Sequence, residues 1–220
     1  NLSPELNIYL YYALGKELED LEQWDEAFEY YKKGGHAARS GADYDVQADV
    51  DLIDKIIDVC DRDWLEAGPA PDSGEDDGKT PVFIVGLPRS GTTLTERILS
   101  SHSKVESAGE SFFMQYAVKQ ASRVRTLDAM NADIVEAAAK HDVSRVGQAY
   151  LDAISYRLGD TPMFIEKLPE NVLDLGFVAR AIPDARIILQ VRNPLDACFA
   201  MYKQSYFRFA YSLDDLGRYY

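Results

Sequence analysis

Cysteine is scarce in this chain: Cys60 and Cys198 are the only two in 220 residues. A pair so far apart supplies neither a zinc ligand set nor a disulfide framework, and both read as reduced interior thiols. Long apolar runs are missing as well. Nothing approaches the 18 or more residues of a membrane-crossing helix, and no signal peptide stands at the start. These absences predict a cytoplasmic protein that needs no metal. Basic residues are thin in the first third, where residues 1–78 hold 6 Lys and Arg against 21 Asp and Glu. Residues 79–220 are nearly balanced, with 17 against 16. The net charge of −14 therefore belongs to the amino-terminal region. So acidic a chain lacks the clustered cations that nucleic-acid phosphates require, whereas the balanced part can still focus positive charge in a cleft for an anionic nucleotide.

One further absence is a single lysine. The stretch Pro81 to Leu99, PVFIVGLPRSGTTLTERIL, has the frame G-x-x-x-x-G-K-[ST] of a phosphate-binding loop. Gly86 and Gly91 keep the spacing, an apolar run precedes them and a helical pattern follows, but Thr92 occupies the lysine position. Glycines let backbone N–H groups converge on an anion, and the helix opening near Gly91 adds the positive end of its dipole. A nucleoside triphosphatase also needs the lysine and a strand ending in a magnesium-holding Asp. Here the strand-like runs end instead in Glu166-Lys167 and in Arg192. Within the loop the cation is Arg89, whose planar fork can take two oxygens of a phosphate or sulfate.

Around this loop the chain alternates between apolar strands and helices. Strands are expected at Val82 to Gly86, Val105 to Ala108, Met163 to Glu166 and Arg186 to Val191. Helices are expected at Thr92 to Ser101, Phe112 to Arg123, Ile134 to Lys140, Val143 to Leu158, Val172 to Ala181 and Leu195 to Gln204. The alternation predicts an α/β fold, a parallel sheet flanked by helices with ligands at the carboxyl ends of its strands. Arg89, Glu110, Lys167 and Arg192 all follow strands directly, which would gather them at one cleft.

The amino-terminal part carries a different pattern. Tyr11, Leu14, Gly15 and Leu18, then Ala27 and Tyr31, follow the spacing of a tetratricopeptide repeat, and a second helical period runs from Val46 to Trp64. The expected organisation is a tetratricopeptide-like helical segment at 1–67, a linker at 68–80 rich in Pro, Gly and Asp, and an α/β domain at 81–220. A lone repeat cannot bury its face, so this segment must pack on the α/β domain, on another subunit or on further repeats. The chain opens on Asn1 rather than methionine and stops at Tyr220 inside a helical pattern begun after Ser212. That is the expectation for a fragment whose α/β domain is truncated at its C-terminus.

Pro88-Arg89-Ser90-Gly91-Thr92-Thr93-Leu94 resembles the 5′-phosphosulfate-binding loop of sulfotransferases that use 3′-phosphoadenosine 5′-phosphosulfate (PAPS). Val191-Arg192-Asn193-Pro194 resembles their 3′-phosphate-binding element. Within that family the likeness runs to bacterial-type enzymes with amino-terminal tetratricopeptide repeats and, more distantly, to tyrosylprotein sulfotransferases. The resemblance implies an enzyme moving a sulfuryl group from PAPS to a hydroxyl acceptor of unspecified class, without a metal. It implies that Arg89, Ser90, Gly91, Thr92, Thr93 and Leu94 hold the phosphosulfate, that Lys167 steadies the leaving phosphate, and that Glu110 is the general base. Arg192 would bind the 3′-phosphate. Eight residues later the family has a serine where this chain has Ala200, so Arg123 or Arg125 is a further cation to consider. Competing readings are Glu110 as a helix-terminal charge and Lys167 as an exposed lysine paired with Glu166. Beyond an enzyme with a hydroxyl-bearing acceptor, two alternatives stay open: a kinase-like nucleotide-binding protein, and a peptide-binding adaptor with a degenerate nucleotide domain.

Overall fold

The computed structural model describes residues 3–67 and 78–220; most of the expected linker, 68–77, lies outside the described residues. In chain order the elements are α1 (Pro4–Asp20), α2 (Trp24–Ser40), α3 (Val46–Val59), α4 (Arg62–Glu66), β1 (Thr80–Gly86), α5 (Thr92–Ser100), β2 (Val105–Gly109), α6 (Phe113–Ser122), α7 (Ala132–Ala139), α8 (Ser144–Ile154), β3 (Met163–Lys167), α9 (Leu175–Ala181), β4 (Arg186–Gln190), α10 (Pro194–Tyr202) and α11 (Leu213–Tyr219). They form two compact units, one of residues 51–191 and one of residues 1–50 with 192–220. Among the described residues no helix is long and apolar enough to cross a membrane.

The 51–191 unit is a parallel sheet in the order β2-β3-β1-β4, flanked by helices, as the alternating pattern predicts. Strands buried on both faces read as unbroken apolar runs, and Val82 to Val85 is such a run. Phe83 and Val85 enter the main core with Met114, Val118, Ile134, Val146, Tyr150 and Phe177, while Val82 and Ile84 join Ile165 on the other face. The later part of α3 and the short α4 pack on that main core through Leu52, Ile56, Cys60 and Trp64. Trp64 lies edge-on to Phe177 at 5.5 Å and donates its indole N–H to the Ala139 carbonyl at 3.0 Å. Both cysteines are free and half-buried, and burial pushes the Cys60 thiol up to about 11.

Two helices are shorter than their sequence patterns. The run from Val143 ends as α-helix at Ile154 and tightens into a 3₁₀ turn, Ser155–Arg157. The run from Val172 starts as a 3₁₀ segment, Pro169–Asp174, before α9. Pro169 opens that segment, and the tighter winding turns Asn171 and Asp174 fully inward.

In the other unit α1 and α2 form a hairpin. At Gly15 the helices approach so closely that a Cβ would lie 2.7 Å from the Tyr31 ring, and Ala27 and Tyr31 are buried beside it. The remaining face of α2 is covered from the chain's other end. The Phe28 ring meets Phe199 and Tyr202 of α10 at 6.4 and 6.1 Å, Arg39 pairs with Asp215 at 2.9 Å, and Lys203 pairs with Glu19 at 2.6 Å. The hairpin thus buries its apolar face against α10 and α11 rather than staying unpartnered.

Candidate functional site

The turn from β1 into α5 has the backbone of an anion cradle. Gly86 and Gly91 adopt φ values of 147° and 109°, conformations that side chains disfavour. At Gly86 a Cβ would also stand 2.4 Å from the Gln190 carbonyl oxygen on the neighbouring strand. Between them Arg89 is exposed and held at φ 64°, a left-handed conformation costing a non-glycine residue about 1 kcal/mol. The helix that follows has no side-chain cap and no acidic residue in its first turn, so nothing in its own sequence competes for the first amides. The Ser90 hydroxyl is buried without a hydrogen-bond partner among the described residues. Thr92 is buried, while Thr93 and Leu94 are exposed. An orphaned hydroxyl, uncapped amides and an arginine suit an oxyanion.

Lys167 ends β3 directly beside β1, in register with Ile84. It is 5% exposed and its ammonium contacts the Glu110 carboxylate, with Glu96 of α5 at 3.8 Å. The reading of Lys167 as an exposed lysine paired with Glu166 is therefore wrong. Successive strand residues face opposite ways, which sends Glu166 into the main core and Lys167 toward α5. Glu110 follows β2 and keeps 56% of its side chain exposed, open to an incoming group. Its backbone is fixed by Arg157, whose guanidinium donates to the carbonyls of Ala108 and Glu110 at 3.0 and 2.9 Å.

The structure brings Glu110 and Lys167 into contact at the strand ends next to the loop. Arg192 and Ala200 belong to the other unit. There Arg192 is exposed, with its carbonyl accepting from the Tyr220 hydroxyl, and Ala200 sits half-buried on α10. Arg123 caps the far end of α6 from Glu110, with φ 58°, and lines a cavity of about 430 Å³ with His141 and Arg145. His102 accepts a hydrogen bond from the Lys104 amide at 3.2 Å, a turn-forming role.

Several residues of the site escaped the sequence reading. Glu96 stands four residues after Thr92 on the buried stripe of α5, a position where a carboxylate signals a partner. Gln190 ends β4 and accepts a bond from the Thr95 hydroxyl at 2.8 Å, tying the helix to the sheet. Arg157 acts on backbone carbonyls, which leave no trace in sequence.

Two buried carboxyl groups, Glu166 and Asp174, lie on the core side of the site. Glu166 accepts from the hydroxyls of Ser111 and Tyr150 at 2.6 and 3.0 Å, and burial pushes its pKa up. Asp174 is fully buried, both its oxygens lack partners among the described residues, and burial with nearby Glu166 raises its pKa far above the ordinary 3.8. Burial favours the protonated form of Asp174 in the folded chain, while the unfolded chain ionises it above about pH 4. Its favourable contribution is full below that pH and declines as pH rises, and Glu166 acts with the same sign. In Asp174→Asn, thermal melts between pH 4 and 8 should lose part of this decline; a wild-type slope would contradict a neutral Asp174.

A family model described as Sulfotransferase family matches residues 81–220. The chain belongs to the sulfotransferase family. An uncharacterized protein of Aquifex aeolicus (strain VF5) is 31% identical over 201 residues, covering 89% of this chain and 26% of that protein. Protein-tyrosine sulfotransferase 1 of Mus musculus is 30% identical over 116 residues, 51% of this chain and 31% of its own. Nodulation protein NoeE of Sinorhizobium fredii is 28% identical over 120 residues, 51% of this chain and 28% of its own. The chain thus spans about a quarter to a third of the length of these relatives. No solved structure matches it. For a sulfotransferase, the Gly86 to Gly91 turn and the Glu110–Lys167 pair are the features on which an activity must be argued.

Proposed function

We propose that this sulfotransferase-family chain transfers a sulfuryl group from PAPS to a hydroxyl acceptor. The observation that carries the reading is the buried Lys167 paired with an exposed Glu110, one strand over from a turn that offers an arginine, uncapped amides and a partnerless Ser90 hydroxyl. Arg89, Ser90 and the Gly91 to Thr93 amides hold the phosphosulfate, with the Thr92 and Thr93 hydroxyls as added donors and Leu94 closing the motif. Arg192 takes the 3′-phosphate by the family resemblance, and Ala200 leaves that phosphate one hydroxyl fewer than the family's serine would.

In the reaction Glu110 accepts the proton of the acceptor hydroxyl as its oxygen bonds to sulfur and the sulfur–oxygen bond to the 5′-phosphate breaks. Lys167 meets the charge that gathers on the departing phosphate, an ammonium having three protons to share between Glu110 and that oxygen. Products are the sulfated acceptor and 3′-phosphoadenosine 5′-phosphate, with Glu110 left protonated until solvent takes the proton. By analogy with phosphoryl transfer the transition state is loose, so positioning and fixed cations supply most of the rate.

Domain roles follow the same reading: residues 81–220 supply the transfer site, and the α1–α2 hairpin is a tetratricopeptide-like repeat whose face left uncovered by α10 and α11 is available to a protein partner. The test is transfer of ³⁵S from labelled PAPS to a panel of phenolic, sugar and peptide hydroxyls with EDTA present. Metal-independent labelling of one class is expected. ATP hydrolysis dependent on magnesium, with no ³⁵S transfer, would favour the kinase-like alternative.

A further inference from the structure

We propose that Glu166 is a positioning residue that locks the Glu110 loop from beneath, through the Ser111 hydroxyl. The inference rests on the reading of Glu110 as the base. Two adjacent pairs of residues meet at the end of the sheet: Glu110-Ser111 after β2 and Glu166-Lys167 at the end of β3, where Gly109 stands in register with Glu166. Because neighbouring strand residues point to opposite faces, the pairs connect twice. Lys167, on the Ile84 and Ile165 face, holds Glu110 itself. Glu166, on the Phe164 face with Tyr150, holds Ser111 at 2.6 Å.

Glu166 is fully buried, so its carboxylate is tolerated only by the donors around it. Tyr150 donates to Oε2 at 3.0 Å, while Ser111 occupies Oε1, with Asn171 at the limit of reach, 3.5 Å. Tyr150 and Asn171 tie the carboxylate into the core; among its bonds to the described residues, the one to Ser111 alone reaches the active loop. Arg157 grips the same loop at two carbonyls, leaving the Glu110 side chain as its open part. A β-bulge at Ser107/Gly109, with Gly109 at φ 75°, interrupts the β2–β3 ladder at this point. Side chains therefore replace ladder bonds in holding the loop.

The test compares Ser111→Ala, Glu166→Gln and Tyr150→Phe by hydrogen exchange at the Gly109 amide, which bonds to Ser107 Oγ and is altered by none of the three. Exchange there should accelerate about tenfold in Ser111→Ala and clearly in Glu166→Gln, and stay near wild type in Tyr150→Phe, whose lost bond is only to the core. In turnover, Ser111→Ala should lower kcat about 10- to 100-fold with affinity for 3′-phosphoadenosine 5′-phosphate within twofold, and Ser111→Thr should restore most of the rate. Equal exchange and equal kcat in Ser111→Ala and Tyr150→Phe would overturn the lock. Should the wild-type protein transfer no sulfuryl group, the proposed function falls and the exchange pattern decides alone: acceleration confined to the Ser111 and Glu166 variants upholds the lock, and acceleration shared with Tyr150→Phe overturns it.

Discussion

Glu110→Gln should lower kcat by about 10²- to 10⁴-fold while affinity for 3′-phosphoadenosine 5′-phosphate stays within about twofold. The substitution keeps the shape and removes the proton-accepting charge. Glu110 is more than half exposed, so its pairing with Lys167 contributes little to stability, and the melting temperature should barely move. Steady-state kinetics and calorimetry on one preparation check this. Retention of most of the rate would reduce Glu110 to a charge near the start of α6.

Lys167→Met should fail in two separable ways. Turnover should fall about 10²- to 10³-fold, because on the proposed reading the leaving phosphate loses the fixed charge of Lys167. Stability should fall by about 3 kcal/mol, because Glu96, 5% exposed, keeps among the described residues only the Ser107 hydroxyl as a partner. Adding Glu96→Gln separates the two effects. The double variant should recover most of the lost stability and none of the lost kcat. Recovery of both would mean that Lys167 acts through folding alone.

The legible parts of the molecule are those where one residue type has one physical use. The Val82 to Val85 run marks a strand buried on both faces, and glycines five apart mark a turn whose Gly86 and Gly91 do take positive φ. The likeness of Arg89 to Leu94 to a sulfotransferase loop agrees with the family match. Gly15 and Ala27 signal a close helix approach, and the Gly15–Tyr31 contact is that approach. Long-range pairing was hidden. Nothing in Glu166-Lys167 announces that the two side chains part company, since the answer depends on which helix covers which face of β3. The Pro169–Asp174 segment has a helical period that a 3₁₀ turn also satisfies, so the burial of Asp174 was not visible beforehand. Nor could the sequence reveal that α10 and α11 cover the first hairpin, because the residues meeting there stand more than 170 positions apart.

Calorimetric titration with 3′-phosphoadenosine 5′-phosphate in EDTA, on the wild type and on Arg89→Met, decides whether the Gly86 to Gly91 turn grips the nucleotide. Saturable binding to the wild type without metal is expected, and about 10- to 100-fold weaker binding to Arg89→Met, the loss of one charge-assisted fork on the 5′-phosphate. Equal affinity in the two proteins, or binding only to ATP with magnesium, would contradict that grip.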